Sequence, residues 1–255
     1  MTDYPRDLAG YRGRPPAPAW PGGTRLALNF ALNYEEGGER SVLDGDPHSE
    51  VYLIPEFPGL PAVEGRNPLV EDLYEYGSRA GFWRLLSLFD ERGVKFTCWA
   101  VGLALARNPQ VGSAMAAGGH EVASHSWRWI DYSDIRRTVE TIRQLTGDGP
   151  SGWYTGRYGP NTRRLVMEET DTIYDSDCYN DDLPYWVEIA GRNRLIVPYA
   201  LDTNDFKYAM MPGWSSGEDF LAYLKLAFDR LYAEGTRTPK MMTVGLHCRL
   251  SGRPA

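Results

Sequence analysis

With 255 residues, 42% of them apolar and 24% charged, the chain can bury a full hydrophobic core, and disorder, a disulfide scaffold and a coiled coil are excluded. A formal charge of -7 without any basic block argues against a nucleic-acid partner. The three cysteines, Cys98, Cys178 and Cys248, are odd in number, far apart and without a C-x-x-C spacing, so reduced thiols and no zinc cluster are expected.

The N-terminal arm, residues 1–23, is polar and rich in Pro and Gly. It lacks the apolar core of a signal peptide, and no later run reaches membrane-spanning length, so a cytoplasmic protein without a membrane partner is expected. A first strand is predicted over residues 25–33. Residues 37–68 follow as a stretch of Gly, Pro and charge without period, too long for an ordinary connection and suited to a lid or an oligomer contact. A helix over 71–92 ends at Gly93, and a strand covers 94–101. Asn108-Pro109 reads as the cap and first turn of a helix running to Gly118-Gly119, followed by a strand over 120–126. Helices over 133–145, 161–169 and 216–234 then alternate with strands over 152–155, 174–178, 195–201 and 241–247. Such alternation means parallel β/α units, and the simplest arrangement is one barrel-like domain of about seven strands spanning 1–255.

On these boundaries the unusual polar residues gather at the C-terminal strand ends: Asn33 to Glu36, Ser124-His125, Arg157, Asp177 to Asp182, Asp202 to Asp205, and His247. In a β/α barrel those ends converge on one face, the usual place for catalysis. The pair Glu35-Glu36 follows an apolar strand directly. One carboxylate can enter the barrel mouth, with a pKa raised by partial burial, and act as a general base toward water while the other turns aside or meets a metal or hydrogen-bond donor. His125 and His247 are candidates for acid, ligand or hydrogen-bonded core residue, whereas His120 reads as structural and His48 as exposed. Cys248 cannot serve His247 as a nucleophile, because neighbours on a strand face opposite ways. Cys98 reads as core, and Cys178 is left as the one plausible thiol nucleophile.

The stretch Gly119 to Ser126, with His120, Ser124 and His125, resembles the second motif of the polysaccharide deacetylase (NodB-like) superfamily, whose domain is a distorted (β/α)7 barrel. Asn33-Tyr34-Glu35-Glu36 stands where that superfamily has Thr-Phe-Asp-Asp, base then metal ligand, and Gly245-Leu246-His247 resembles its last motif. Both Asp positions are Glu here, Trp129 replaces the second histidine ligand, and Thr155 to Gly159 replaces the third motif with its arginine displaced. The allantoinase branch of the superfamily shares these departures. The chain is similar to that branch through Leu32 to Glu39, Tyr74 to Gly81, Trp153 to Arg157, Asp181 to Trp186, Leu201 to Asp205 and Gly245 to Arg249; cyclic-imide hydrolases are similar too. Against the family pattern the segment 130–146 is short, and the chain stops at Ala255 where a closing helical segment is expected.

The resemblance implies a cytoplasmic hydrolase of purine or ureide catabolism that opens the hydantoin ring of allantoin to allantoate, acting as a homo-oligomer, with a tetramer one option. Alternatives are a cyclic-imide hydrolase and a non-catalytic ureide- or sugar-binding member of the fold. Such chemistry needs a base for water, donors for the oxyanion and an acid for the leaving nitrogen. The implied roles are Glu35 as base, His247 as acid or oxyanion stabiliser, and His125 and Glu36 as positioning groups. Tyr34, Trp129, Arg157, Asp181, Trp186, Asp202 and Asn204 would contact the small-molecule ureide. No metal cofactor is expected, the counter-reading being a zinc-type site of Glu36, His125 and His247.

Overall fold

The computed structural model describes residues 6–52, 61, 63–129 and 134–254. Parts of the arm 1–23, of the loop 37–68, of the segment 130–146 and the first residue of the helix predicted over 133–145 lie outside the described residues. The architecture is α/β: a curled sheet ordered β6-β7-β5-β4-β3-β2-β1-β8, with helices on its outer side. The strands are β1 (Leu26–Tyr34), β2 (Thr97–Ala100), β3 (Glu121–Ser124), β4 (Gly152–Trp153), β5 (Tyr174–Asp175), β6 (Tyr185–Ile189), β7 (Arg192–Ile196) and β8 (Lys240–His247). Every neighbouring pair is parallel except β6 with β7. All but β6 correspond to the seven predicted strands. The additional hairpin turns at Ala190-Gly191, both with positive φ, the geometry of a type I′ turn.

β1 and β8 are the longest neighbours, in register from Leu26 opposite Lys240 to Asn33 opposite His247. After β7 the chain first runs beside β5, where Tyr199 N–H donates to the Cys178 carbonyl, and then reaches the far side of β8, where Gly245 N–H donates to the Thr203 carbonyl. One ladder step, Asn204 opposite Gly245, brings this segment onto β8 and draws the curled sheet toward a distorted barrel.

Period-two alternation sorts the strand side chains into two environments. Leu32, Tyr34, Cys98 and Ala100 face outward onto α2 (residues 82–92), α3 (Gly102–Arg107) and α4 (Pro109–Ala117), where Phe82, Leu85, Phe89, Leu105 and Met115 complete the main core. Ala31, Trp99 and Ala123 face inward with Tyr154 and Tyr199. The helix predicted over 71–92 is two, α1 (Pro68–Tyr76) and α2, joined by a single π turn, Gly77–Gly81. Glycine is required there: a Cβ on Gly77 would lie 2.1 Å from Glu36 Oε1, and one on Gly81 would lie 2.0 Å from the Cys248 carbonyl oxygen. The remaining helices are α5 (Ile135–Thr146), α6 (Thr162–Glu169) and α7 (Gly217–Glu234), the last opened by a reciprocal capping box between Ser216 and Asp219. Among the described residues no helix is long and apolar enough to cross a membrane.

Candidate active site

At the C-terminal strand ends a cavity of about 340 Å³ opens into the inner face of the sheet, and the ends of β1, β3 and β8 bring Glu35, His125 and His247 to its lining. Each follows from strand alternation. Asn33 and Glu35 share the inward face of β1, and Gly245 and His247 that of β8. Gly245 is needed at its position, because a Cβ there would lie 2.2 Å from Asn204 Nδ2 and 2.6 Å from the Tyr199 hydroxyl. After β3 the chain turns at Ser126, a non-glycine residue at φ 67°, next to His125.

Glu35 Oε1 lies 3.3 Å from His125 Nε2 and 3.6 Å from His247 Nε2, while Glu35 Oε2 accepts a 2.7 Å hydrogen bond from Arg249 Nη1. All four residues are buried. Burial alone would push the Glu35 carboxyl up, but Arg249, His247 and the hydrogen bonds from both imidazoles outweigh it and hold the group well below the ordinary carboxylate range. The expectation of a raised pKa is thereby corrected, since two cations stand where a dry wall was envisaged. His247 moves the other way. Desolvation would lower it, yet Asp205, with Oδ1 2.6 Å from Nδ1, and Glu35 together raise it to about 9. Asp205 also accepts the His247 backbone N–H at 2.6 Å, so one carboxylate fixes both the backbone and the ring.

Of the other predicted contacts, Trp129, Arg157 and Asn204 line the same cavity. The Arg157 guanidinium stands 4.6 Å over the Trp129 ring and 5.2 Å over the Tyr52 ring, so three loops meet at the mouth through one cation–π stack. Arg157 is carried on a turn shaped by Asp177, whose carboxylate accepts the Thr155 and Gly156 N–H groups at 2.9 and 2.8 Å.

Five predicted site residues lie elsewhere. Tyr34 is buried edge-on against Phe82 in the outer core. Glu36 faces the same way: its Oε2 accepts the Glu35 N–H at 2.8 Å and its Oε1 packs on Gly77, so it cannot reach the group that Glu35 faces. Asp181 accepts from the Tyr11 hydroxyl at 2.6 Å and Asp202 from the Tyr223 hydroxyl at 3.0 Å, and both border a separate hollow of about 80 Å³. Trp186 is 66% exposed on the edge strand β6. Among the bystanders, His120 stacks on Phe96, and the Cys178 thiol, buried beside Tyr185 and Asn180, is outside the cavity lining.

Asp205, Tyr154, Tyr199 and Arg249 are neighbours of this candidate site that the sequence reading did not select individually. Asp205 sat in a flagged acidic cluster in which position alone could not rank its members. Arg249 lies two residues beyond His247, but in a turn, where strand parity no longer applies.

The superfamily resemblance associates a metal with this region, and the donor set does not fit one. Trp129 offers no lone pair where a second histidine would serve, Glu36 turns to the opposite face, and among the described residues no three His, Cys, Asp or Glu side chains are grouped to hold an ion. Where Glu35, His125 and His247 converge, the Glu35 carboxylate is already paired with the Arg249 guanidinium at 2.7 Å. The zinc-type set of Glu36, His125 and His247 is therefore not assembled.

Fold and site define a hydrolase built on a distorted β/α barrel. Residues 64–174 match the polysaccharide deacetylase family model. A Schizosaccharomyces pombe protein named for polysaccharide deacetylase is 45% identical, over 98% of this chain and 87% of its own length. A crystal structure named for polysaccharide deacetylase from Pseudomonas aeruginosa PAO1 is 54% identical with a TM-score of 0.94, over 99% of this chain and 88% of that one. The crystal structure of PuuE allantoinase is 52% identical with a TM-score of 0.93, over 99% and 87%. The chain belongs to the polysaccharide deacetylase family.

Proposed function

We propose that this protein hydrolyses the hydantoin ring of allantoin to allantoate, as a step of ureide breakdown and without a bound metal. The observation that carries the reading is the pairing, on one oxygen of Glu35, of an ionised carboxylate with a protonated imidazole, inside a cavity walled by Trp129, Tyr154 and Tyr199. Support for the substrate comes from the 52% identity to a solved allantoinase.

Glu35 takes a proton from water as the water oxygen bonds to the ring carbonyl carbon, and His247 delivers its proton to the ring nitrogen as the C–N bond breaks. A carboxylate held this acidic is a modest base toward free water. It suffices because the proton becomes acidic only as the new C–O bond forms, on a carbonyl more electrophilic than an acetamide. Glu35 Oε1 and His247 Nε2 are 3.6 Å apart, so the proton taken from water can pass back to His247 and reset the site. Asp205 keeps the imidazole charged and aimed, and Arg157, exposed at the mouth, is placed to receive the ureido arm.

The test is parallel turnover of allantoin, dihydrouracil, succinimide and an acetylated chito-oligomer, before and after chelation. Allantoin is expected to be opened fastest, with its rate unchanged by chelation. Equal or faster opening of succinimide would make the protein a cyclic-imide hydrolase. Acetate release as the dominant reaction, or activity lost on chelation and restored by an ion, would overturn the mechanism.

A further inference from the structure

We infer that Tyr199 is a catalytic residue of this site, its hydroxyl donating to the oxyanion that forms on the ring carbonyl. The inference rests on the ring-opening reading above and adds to it a group that neither the motifs nor the strand pattern singled out.

The argument is one of hydrogen-bond capacity. A phenol has one O–H to donate and two lone pairs to accept with. The Tyr199 oxygen accepts from Asn33 Nδ2 at 3.0 Å and from Asn204 Nδ2 at 2.9 Å. Both amide orientations are fixed independently: Asn33 Nδ2 also donates to the Leu246 carbonyl, and Asn204 Oδ1 accepts the Phe206 N–H. Both lone pairs are thus engaged by donors, and the hydroxyl is left with its proton alone to offer. Among the described residues no acceptor takes it. Tyr199 is only 4% exposed and lines the cavity, its other side bordering the hollow beside Asp181 and Asp202. A desolvated O–H lacking an acceptor is unfavourable until something accepts it, which favours an oxygen arriving with the substrate.

Its placement fits the reaction. Asn33 stands two residues before Glu35 on the same face of β1, about 7 Å along the strand, and Asn204 adjoins Asp205, which holds His247. The two amides that fix the hydroxyl therefore belong to the elements that carry the base and the acid. Gly245 is what allows the approach, since any side chain there would occupy the space of Asn204 Nδ2 and the Tyr199 hydroxyl. Burial pushes the phenol well above its ordinary range, against the two amide hydrogen bonds, so it keeps its proton throughout the working pH range and acts as a donor rather than a base.

Tyr199→Phe removes the hydroxyl and little else. With allantoin, kcat is expected to fall about 10²-fold or more, the usual loss for one oxyanion donor, while KM moves by less than about threefold, as for an interaction made only in the transition state. In crystals of the Glu35→Gln variant soaked with allantoin, the scissile carbonyl oxygen is expected about 2.7–3.1 Å from the Tyr199 hydroxyl. If Tyr199→Phe loses its fold, 3-fluorotyrosine at position 199 keeps the shape and acidifies the phenol, and kcat should then change with that acidity. A folded Tyr199→Phe with near-wild-type kcat, a loss confined to KM, a kcat indifferent to fluorination, or a carbonyl oxygen bound elsewhere would overturn the assignment. Wild-type protein that opens no cyclic amide would fail the functional reading itself, whereas an active wild type with an equally active Tyr199→Phe fails this inference alone.

Discussion

Strand parity decides which of two adjacent carboxylates reaches the cavity. Glu35 shares the inward face of β1 with Asn33, and Glu36 shares the outward face with Tyr34, so the doublet that resembles a base and a metal ligand places only its first member in the cavity. That much was legible: the same alternation separates His247 from Cys248, and applied to residues 33–36 it also removes Tyr34 from the substrate contacts. What could not be read was the sign of the Glu35 shift, because it depends on Arg249, whose approach from a turn no local pattern encodes. Glu35→Gln is expected to lower kcat by about 10²-fold or more in a protein that still folds, with a lower melting temperature because buried Arg249 loses its carboxylate partner, whereas Cys178→Ser, outside the cavity lining, should leave steady-state rates untouched. The Asp205–His247 pair makes a pH prediction. Because the acid works only while protonated, kcat/KM should hold through neutral pH and fall above about 9, and Asp205→Asn should move that limb down toward the ordinary histidine range. An alkaline limb indifferent to Asp205→Asn would remove His247 from the role of acid.

Helix and strand boundaries were read well where period and caps agree, as at the Ser216 capping box of α7, and poorly where backbone geometry carries the information. The β6–β7 hairpin is marked only by Ala190-Gly191, a weak turn signal beside the Asn-Gly or Asp-Gly pairs that favour two positive φ values. The π turn Gly77–Gly81 was hidden inside a helical period that its glycines do not break. Gly77 seats the helix pair against Glu36 just beyond β1, and Gly81 seats it against the end of β8, where it admits the Cys248 carbonyl next to Arg249. Gly81→Ala would drive a methyl group into that backbone. Overpacking of this kind costs about 1–3 kcal/mol, and each kcal/mol lowers Tm by roughly 2–4 °C in a domain of this size. Calorimetry of Gly81→Ala should show such a drop together with weakened turnover, since the displaced backbone carries both His247 and Arg249. A variant of wild-type stability would mean that this approach is looser than it looks.

At the scale of the whole molecule, the barrel brings to one mouth groups spread from Glu35 to Arg249, and this convergence is what the order of strands in the sequence led one to expect of Glu35, His125 and His247. The same enclosure makes stability depend on pH. Burial raises Glu36 to about 7, with Arg249 opposing and Glu35 adding to the shift, and His247 is raised to about 9. Both groups hold their protons longer folded than unfolded, so their contribution is fully present below their ordinary values and is lost as pH rises through about 7 and about 9. Tm is therefore expected to fall from pH 5 to pH 9, and Glu36→Gln should flatten the lower half of that slope while sparing activity. A slope unchanged by Glu36→Gln would show that other groups set it. The most direct test of the whole scheme is to incubate ¹³C-labelled allantoin with wild-type protein and with Glu35→Gln and to follow the products by NMR. Wild type should convert the ring to allantoate and the variant should leave it closed; intact allantoin with wild type, or equal conversion by both proteins, would contradict the assignment of this cavity and of Glu35.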